Sequence, residues 1–148
     1  MAEIILAKSA GFCFGVKRAV QEAERLADTE KGVINTYGEL IHNTQEIERL
    51  KEKGLVPAET YDNIPSEKVI IRTHGVGEDV IEKLAEKGCE ITDLTCPYVK
   101  KIQKIAKDAS VSDACAGDSC FILIGSRTHP EVISILSYFE GEKFVFVI

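Results

Sequence analysis

A regular alternation of short apolar runs with longer stretches of helical periodicity constrains this chain more than any other feature of its sequence. The apolar runs have the length of buried strands, and between them apolar residues recur every three or four positions, as on one face of an amphipathic helix. This order predicts an α/β fold with mainly parallel sheets and right-handed crossovers. The predicted strands cover residues 3–7, 33–37, 68–73, 90–95, 120–125 and 143–148.

Helix signals separate the predicted strands. Asn43 and Glu46 have the spacing of a capping box, and Gly54 and Gly88 are typical of helix ends. The small, polar segment 109–119 is predicted to be a loop. The predicted helices cover residues 16–27, 43–54 and 80–88, a segment that begins at Pro97 and a segment after Pro130.

Composition limits the partners and the compartment. The 148 residues carry a net charge of -6, which argues against a nucleic-acid or anionic-membrane surface. No apolar run approaches the length of a membrane span. The five cysteines are odd in number and show no CxxC spacing, which favours a reducing compartment, so we expect a cytoplasmic protein. A metal site would have to combine distant parts of the chain.

Five reactive side chains follow predicted strands. His42, His74 and His129 each lie between a strand and a helix, and Cys13 and Cys96 have the same setting. Ligands bind at the carboxyl ends of parallel strands, where helix N-termini also point. A single histidine in a loop is usually a solvated or capping residue, but five such residues at one edge predict a ligand site.

The cysteines differ in their settings. Cys96 and Cys13 precede helices, whose dipoles favour the thiolate and therefore metal binding or nucleophilic attack. Cys89 lies at the amino end of a strand and is interpreted as a packed or surface thiol. The spacing of Cys115 and Cys120 is weakly compatible with a shared metal, but incidental thiols are the better interpretation.

Histidines near helix N-termini suit a phosphate ester, whose affinity should fall as the imidazoles lose charge. No phosphate-loop motif indicates a nucleotide. From spacing alone, Glu131 is an acid stabilised by the first turn of a helix. The lysine stripe is interpreted as a solvated helix face, with docking of an acidic electron-transfer partner as the alternative. The stripe consists of Lys100, Lys101, Lys104 and Lys107.

Five motifs, in one order, closely resemble the N-terminal half of the LytB family of 4-hydroxy-3-methylbut-2-enyl diphosphate reductases. They are Gly11–Val16, Ile41–Asn43, Thr73–Val76, Asp93–Pro97 and His129–Val132. The resemblance implies three α/β units around a central 4Fe-4S cluster. It assigns residues 1–96 to the first unit and 97–148 to an incomplete second unit, with 1–13 forming a strand of a third unit that is otherwise absent.

The resemblance also implies an activity. This is the last step of the methylerythritol phosphate pathway, in which reduction removes the C4 hydroxyl of an allylic diphosphate and gives isopentenyl and dimethylallyl diphosphate. An electron donor such as ferredoxin or flavodoxin is implied as well. Cys13 and Cys96 match two of the three cysteine ligands of the family's cluster. A redox-active iron that is open to the substrate oxygen suits a reductive dehydroxylation.

Further roles are implied for four residues on the same edge. His42, His74 and His129 match residues that hold the diphosphate, and His129 also matches a position near the alkoxide. Glu131 matches the acid that delivers protons to the departing hydroxyl, although its spacing alone indicates no such role.

Two hypotheses follow from where the sequence departs from the family. The third cysteine ligand belongs to a C-terminal half, and segment 109–120 differs from the family and adds Cys115 and Cys120. The first hypothesis is a part of the reductase that needs a C-terminal half for catalysis, and a separate chain is one form in which that half could be supplied. The alternative is a non-catalytic phosphate- or metal-binding α/β module, in which the two added thiols replace missing ligands.

Overall fold

Helices and strands alternate along the chain in the computed structural model, which describes residues 3–65, 67–111, 121–139 and 145–147. The helices are α1 (Phe14–Thr29), α2 (Thr44–Glu52), α3 (Glu78–Glu86), α4 (Pro97–Val111) and α5 (Pro130–Ser137). The strands are β1 (Ile34–Tyr37), β2 (Leu55–Ala58), β3 (Lys68–Ile71), β4 (Glu90–Asp93), β5 (Phe121–Leu123) and β6 (Val145–Val147). A short 3-10 turn at Tyr61–Asn63 follows β2.

The strands form two parallel sheets, which confirms the predicted α/β class. The first sheet has the order β2-β1-β3-β4, and the second pairs β5 with β6. Because the strands of the first sheet run in one direction, the loops after β1, β3 and β4 leave the same edge. We call this the carboxyl edge.

Strand β2 was absent from the sequence prediction. Its four residues include Pro57, which has no backbone N–H to donate to a neighbouring strand. Proline is tolerated on edge strands, and β2 is the outermost strand of the first sheet. Its position therefore explains both the proline and the weak strand signal.

The predicted strand at residues 3–7 is wrong for this structure. These residues form no helix or strand, and Ile4, Ile5 and Leu6 are 91%, 83% and 81% exposed. A strand requires a neighbour for its backbone hydrogen bonds, and no strand among the described residues pairs with this segment. The assignment of residues 1–13 to a third unit, and the division at residue 96, stay predictions.

The predicted loop at 109–119 is wrong at its first three residues, which are helical. Helix α4 continues through Val111, and the Ser110 hydroxyl donates to the Lys107 carbonyl at 2.8 Å, a bond that a helix accommodates. Residues 112–120, including Cys115 and Cys120, lie outside the described residues.

Both faces of the first sheet are covered by helices. In β3, Ile70 packs into one apolar cluster with residues of α1 and α2, whereas Val69 and Ile71 pack with Leu84 of α3 on the opposite face. Cys89 is half-buried against this second cluster at the amino end of β4, which confirms the packed-thiol interpretation. None of the helices described is both long enough and apolar enough to cross a bilayer.

Candidate functional site

Three histidines from distant parts of the sequence meet at the carboxyl edge. The ring centroids of His42 and His74 are 4.4 Å apart, those of His74 and His129 are 5.6 Å apart, and those of His42 and His129 are 6.1 Å apart. One nitrogen from each ring lies within 4.8 Å of the corresponding nitrogens of the other two. We call these residues the histidine cluster. The structure thus brings together the three histidines that the sequence places after strands.

His42 is held by the loop between β1 and α2. Leu40 and Ile41 are buried, and the Leu40 carbonyl accepts hydrogen bonds from the Thr73 N–H at 3.2 Å and the Thr73 hydroxyl at 3.0 Å. The Asn43 side chain accepts the Glu46 N–H and caps α2, as the capping-box spacing predicts. The exposed imidazole of His42 therefore extends from a fixed backbone.

His74 lies in a tight turn that requires glycine at the next position. Gly75 has a φ of +72°, and its N–H donates to the Arg72 carbonyl at 3.0 Å. A Cβ at Gly75 would lie 2.5 Å from Nε2 of Gln103 and 3.0 Å from Cγ2 of Thr95. The turn that orients His74 is consequently packed without space for a side chain.

A buried polar connection fixes this turn to α4 and α5. Nε2 of Gln103 donates to Oγ of Ser134 at 2.6 Å, and the Ser134 hydroxyl donates to the Val76 carbonyl at 3.2 Å. Neither residue was predicted from the sequence to belong to the site. The signal in the sequence is Gln103, a polar residue between Val99 and Ala106 on the buried face of α4. A buried polar side chain predicts a hydrogen-bonded partner.

His129 caps α5 and has a defined tautomer. Its Nδ1 accepts the Glu131 N–H at 3.2 Å. Because Nδ1 is the acceptor, the proton of the neutral ring is placed on Nε2 by this bond. His129 therefore presents an N–H donor.

Burial lowers the pKa of His74 to about 4, with smaller contributions from His42, Arg72 and His129. The ring is thus neutral at pH 7, so the expected dependence of anion affinity on imidazole charge is wrong for His74 in the unliganded chain. Its Nδ1 is buried and has no hydrogen-bond partner among the described residues. A ligand that reached this nitrogen would displace no existing hydrogen bond.

Acidification to about pH 5 is expected to lower the free energy of unfolding, and His74→Gln is expected to reduce that loss by about 1–2 kcal/mol. The unfolded chain protonates His74 near pH 6.5, whereas the folded chain keeps the ring neutral down to about pH 4. Stability from this residue is therefore complete above pH 6.5 and decreases as the pH falls towards 4. Urea unfolding of both proteins at neutral and acidic pH measures the difference. Equal losses in both would contradict the depressed pKa.

Cys13 and Cys96 lie at the starts of two neighbouring helices. Cys13 is exposed and occupies the N-cap position of α1 without a side-chain capping bond, and Cys96 directly precedes α4. A Cβ on Gly15, in the first turn of α1, would lie 2.6 Å from Sγ of Cys96. The glycine thus permits the close approach of the Cys96 thiol to α1. Both thiols are free.

Backbone contacts connect the thiols to the histidine cluster. The Cys96 N–H donates to the Thr73 carbonyl at 2.9 Å, so Thr73 contacts both the loop of His42 and the segment of Cys96. Arg18 of α1 donates to the Thr95 carbonyl at 2.8 Å. These contacts make one continuous site along the carboxyl edge, and the sequence analysis did not identify Thr73 or Arg18 as its supports.

Asp93 orders the turn before Cys96. Its carboxylate accepts the Thr95 N–H at 2.9 Å and pairs with Lys100 at 2.7 Å. Burial acts to raise the pKa of Asp93, but the bonds from Lys100 and Thr95 outweigh it and lower this pKa.

Glu131 and His129 line a cavity of about 350 Å³ beside the histidine cluster. Its other walls include Ile102, Leu123 and Ile124. A carboxylate and an imidazole here face a mainly apolar space next to a cluster of hydrogen-bonding groups. This arrangement suits a ligand with a polar head and a short hydrocarbon chain.

The lysine stripe on α4 has two kinds of members. Lys100 pairs with Asp93, and Lys107 pairs with Glu78 at 2.6 Å. Lys101 and Lys104 are exposed. The ion pairs of Lys100 and Lys107 within the chain favour the solvated-face interpretation for these two lysines. Docking of an acidic partner on the stripe stays a prediction.

Known proteins are similar to this chain in sequence and in fold. The 4-hydroxy-3-methylbut-2-enyl diphosphate reductase of Aquifex aeolicus is 41% identical over 141 residues, covering 95% of this chain and 47% of the relative. The enzyme of the same name from Campylobacter hominis is 43% identical over 145 residues, covering 97% of this chain and 49% of the relative. The chain therefore spans about half the length of the curated relatives it matches.

Solved structures agree with this likeness. A structure described as (E)-4-hydroxy-3-methyl-but-2-enyl diphosphate reductase, the terminal enzyme of the non-mevalonate pathway, matches with a TM-score of 0.80 and 39% identity. The match covers 100% of this chain and 51% of that one. The Plasmodium falciparum reductase shares the fold, with a TM-score of 0.82 at 24% identity over 95% of this chain and 42% of its own. The family model described as LytB protein matches residues 4–148, and the chain belongs to that family.

Proposed function

We propose that this chain is the N-terminal part of a 4-hydroxy-3-methylbut-2-enyl diphosphate reductase. The observation that carries the proposal is the convergence of three histidines and two free thiols on one edge of the sheet, in a chain of the LytB family. The reaction removes the C4 hydroxyl of the allylic diphosphate and gives isopentenyl and dimethylallyl diphosphate. The expected setting is cytoplasmic.

The histidine cluster is the proposed diphosphate site. The N–H of Nε2 in His129 and the neutral imidazole of His74 supply hydrogen-bond donors, and the exposed ring of His42 supplies a third. The N-terminus of α5 adds the positive end of a helix dipole next to His129. Donors from three separate loops surround one small space, which suits an anion with several oxygens.

The two thiols fit part of an iron–sulfur site. Cys13 and Cys96 are free and lie at adjacent helix starts, and such clusters are usually held by cysteine thiolates. We assign them as two ligands of a 4Fe-4S cluster, which would transfer the donor's electrons to the substrate for reductive loss of the hydroxyl. Cys89, the remaining cysteine among the described residues, lies at the opposite end of β4. The third ligand is therefore expected from a C-terminal half, and the electrons from a donor such as ferredoxin or flavodoxin.

Glu131 is the proposed proton donor to the departing hydroxyl. It lies two residues from His129 and lines the same cavity. A hydrocarbon chain in that cavity would lie against both Glu131 and His129. The apolar walls would contact the hydrocarbon chain of the substrate.

Replacing His42, His74 and His129 together with alanine is expected to weaken binding of inorganic pyrophosphate at least about 30-fold, because three hydrogen-bond donors are lost. Isothermal titration of the 148-residue chain measures this affinity. Gln45→Ala is a matched control, since Gln45 is an exposed residue of α2 near the cluster. Unchanged affinity in the triple variant would remove the diphosphate site from the cluster.

The alternative function is a non-catalytic phosphate- or metal-binding module. One observation favours it. All three histidines of the cluster belong to this chain, whereas the described residues supply only two thiols at the carboxyl edge, fewer than the three cysteine ligands of the proposed iron–sulfur site. Turnover distinguishes the alternatives. The reductase part gains activity when a C-terminal half is supplied, and the module does not.

A further inference from the structure

We propose that the histidine cluster also binds one divalent transition-metal ion, with Zn²⁺ the best-matched ion, through one nitrogen each of His42, His74 and His129. This inference is independent of the proposed function, since it requires the three imidazoles alone and neither the thiols nor a C-terminal half.

The distances place the cluster close to a metal-binding geometry. The three candidate nitrogens lie within 4.8 Å of one another. Nitrogen ligands about 2.0–2.1 Å from a tetrahedral Zn²⁺ are separated by roughly 3.3 Å. Closing the gap requires movement of about 1.5 Å at most, which rotation of the exposed His42 side chain and small adjustments of the partly buried His74 and His129 rings can supply together. The backbones of all three residues are already fixed by the hydrogen bonds described above.

The ligand atoms follow from the existing hydrogen bonds. Nδ1 of His74 is buried without a partner among the described residues, so a metal bound through this nitrogen would displace no hydrogen bond. His129 differs, because its Nδ1 accepts the Glu131 N–H. Binding through Nε2 would move the ring proton to Nδ1 and break this capping bond. His129 is therefore expected to be the weakest of the three ligands.

The donor set defines the class of ion. Imidazole nitrogens suit Zn²⁺, Co²⁺, Ni²⁺ and Cu²⁺, whereas Mg²⁺ and Ca²⁺ prefer oxygen ligands. Three protein ligands leave a fourth tetrahedral position for water or another small ligand. The three rings meet at a solvent-accessible edge, because His42 is exposed and the other two are partly buried. An ion can therefore reach the cluster from solution.

The test uses Co²⁺ as a coloured probe in a full-length variant with Cys13, Cys96, Cys115 and Cys120 replaced by serine, so that these thiols do not contribute. We expect one Co²⁺ per chain with the visible absorption of tetrahedral cobalt, and loss of that absorption when one equivalent of Zn²⁺ is added. His42→Ala and His74→Ala should each weaken Co²⁺ binding at least about 100-fold, the upper end of the cost of losing an outer-shell partner. His129→Ala should weaken it less. Gln45→Ala in the same background should bind Co²⁺ normally.

Absence of the tetrahedral absorption would overturn the inference, and so would unchanged affinity in His42→Ala. Circular dichroism tests whether each variant is folded. Because His42 is exposed, His42→Ala is expected to disturb the fold least. Titration of the same variants with pyrophosphate keeps the two proposals separate. Pyrophosphate binding without cobalt binding would refute the metal site alone, and the converse would refute the diphosphate site alone.

Discussion

Gly75→Ala is expected to destabilise the folded chain by about 2–5 kcal/mol and to weaken pyrophosphate binding at the histidine cluster. A left-handed φ costs a non-glycine residue about 1–2 kcal/mol. Gly75 has a φ of +72°, and the added methyl would meet Nε2 of Gln103 at 2.5 Å and Oγ of Ser134 at 3.1 Å. Overpacking of this kind costs a further 1–3 kcal/mol or so. Relief of the clash would move His74, the preceding residue.

Gly88→Ala is the matched control. Gly88 has a φ of +81°, close to that of Gly75, but a Cβ there would meet nothing within 4 Å. The control therefore carries the backbone strain without the clash, and it lies far from the histidines at the end of α3. Urea unfolding and pyrophosphate titration of both variants measure the two effects. Equal destabilisation by the two substitutions would show that the contacts with Gln103 and Ser134 do not hold the turn.

Glu131→Gln, in a reductase completed by its C-terminal half, is expected to lower turnover by about 10²–10⁴-fold, the contribution of a general acid. The amide keeps the shape of the side chain but cannot donate the proton. Iron content and diphosphate affinity should stay unchanged, since Glu131 belongs to neither the thiol pair nor the histidine cluster. Steady-state kinetics and iron analysis of the same preparation test the two expectations together.

Glu48→Gln is the control for this substitution. Glu48 is an exposed acid of α2, and it lies outside the cavity that Glu131 and His129 line. Its amide variant should retain full turnover. Full activity in Glu131→Gln would assign the proton donor to another group, and Glu131 would then be explained by its favourable position in the first turn of α5.

Sequence periodicity was sufficient to predict where the candidate site lies. Parallel strands place the residues that follow them at one edge, so His42, His74 and His129 could be grouped before any distance was known. The side-chain cap at Asn43 and the start of α4 at Pro97 could also be predicted, because local chemistry determines both. Roles for Cys13 and Glu131 came from the family resemblance and stay predictions.

The supports of the site could not be predicted in the same way. The Gln103–Ser134 hydrogen bond joins residues 31 positions apart, and Thr73 contacts two loops whose proximity depends on the folded sheet. No local pattern encodes such pairs. Gly15 is similar, because the reason for glycine there is the sulfur of Cys96, which approaches from another part of the chain.

The segment at residues 3–7 is a case in which local sequence predicts a strand that the structure does not contain. Its composition is that of a strand, and local propensity correctly identifies residues that suit one. Propensity does not supply a neighbouring strand, and β-structure depends on that neighbour more than on the segment itself. In the structure, Ile4, Ile5 and Leu6 are accordingly exposed.

Iron and acid-labile sulfide per chain, after anaerobic reconstitution with and without the C-terminal half of a relative, test the central claim most directly. We predict a complete 4Fe-4S cluster and reductase turnover in the combined protein, and loss of both in Cys13→Ser and in Cys96→Ser. The 148-residue chain alone should hold no stable cluster, with or without Cys115→Ser and Cys120→Ser. A complete, substrate-responsive cluster in the isolated chain would contradict the account, as would a complete cluster in the combined protein that lacks both Cys13 and Cys96.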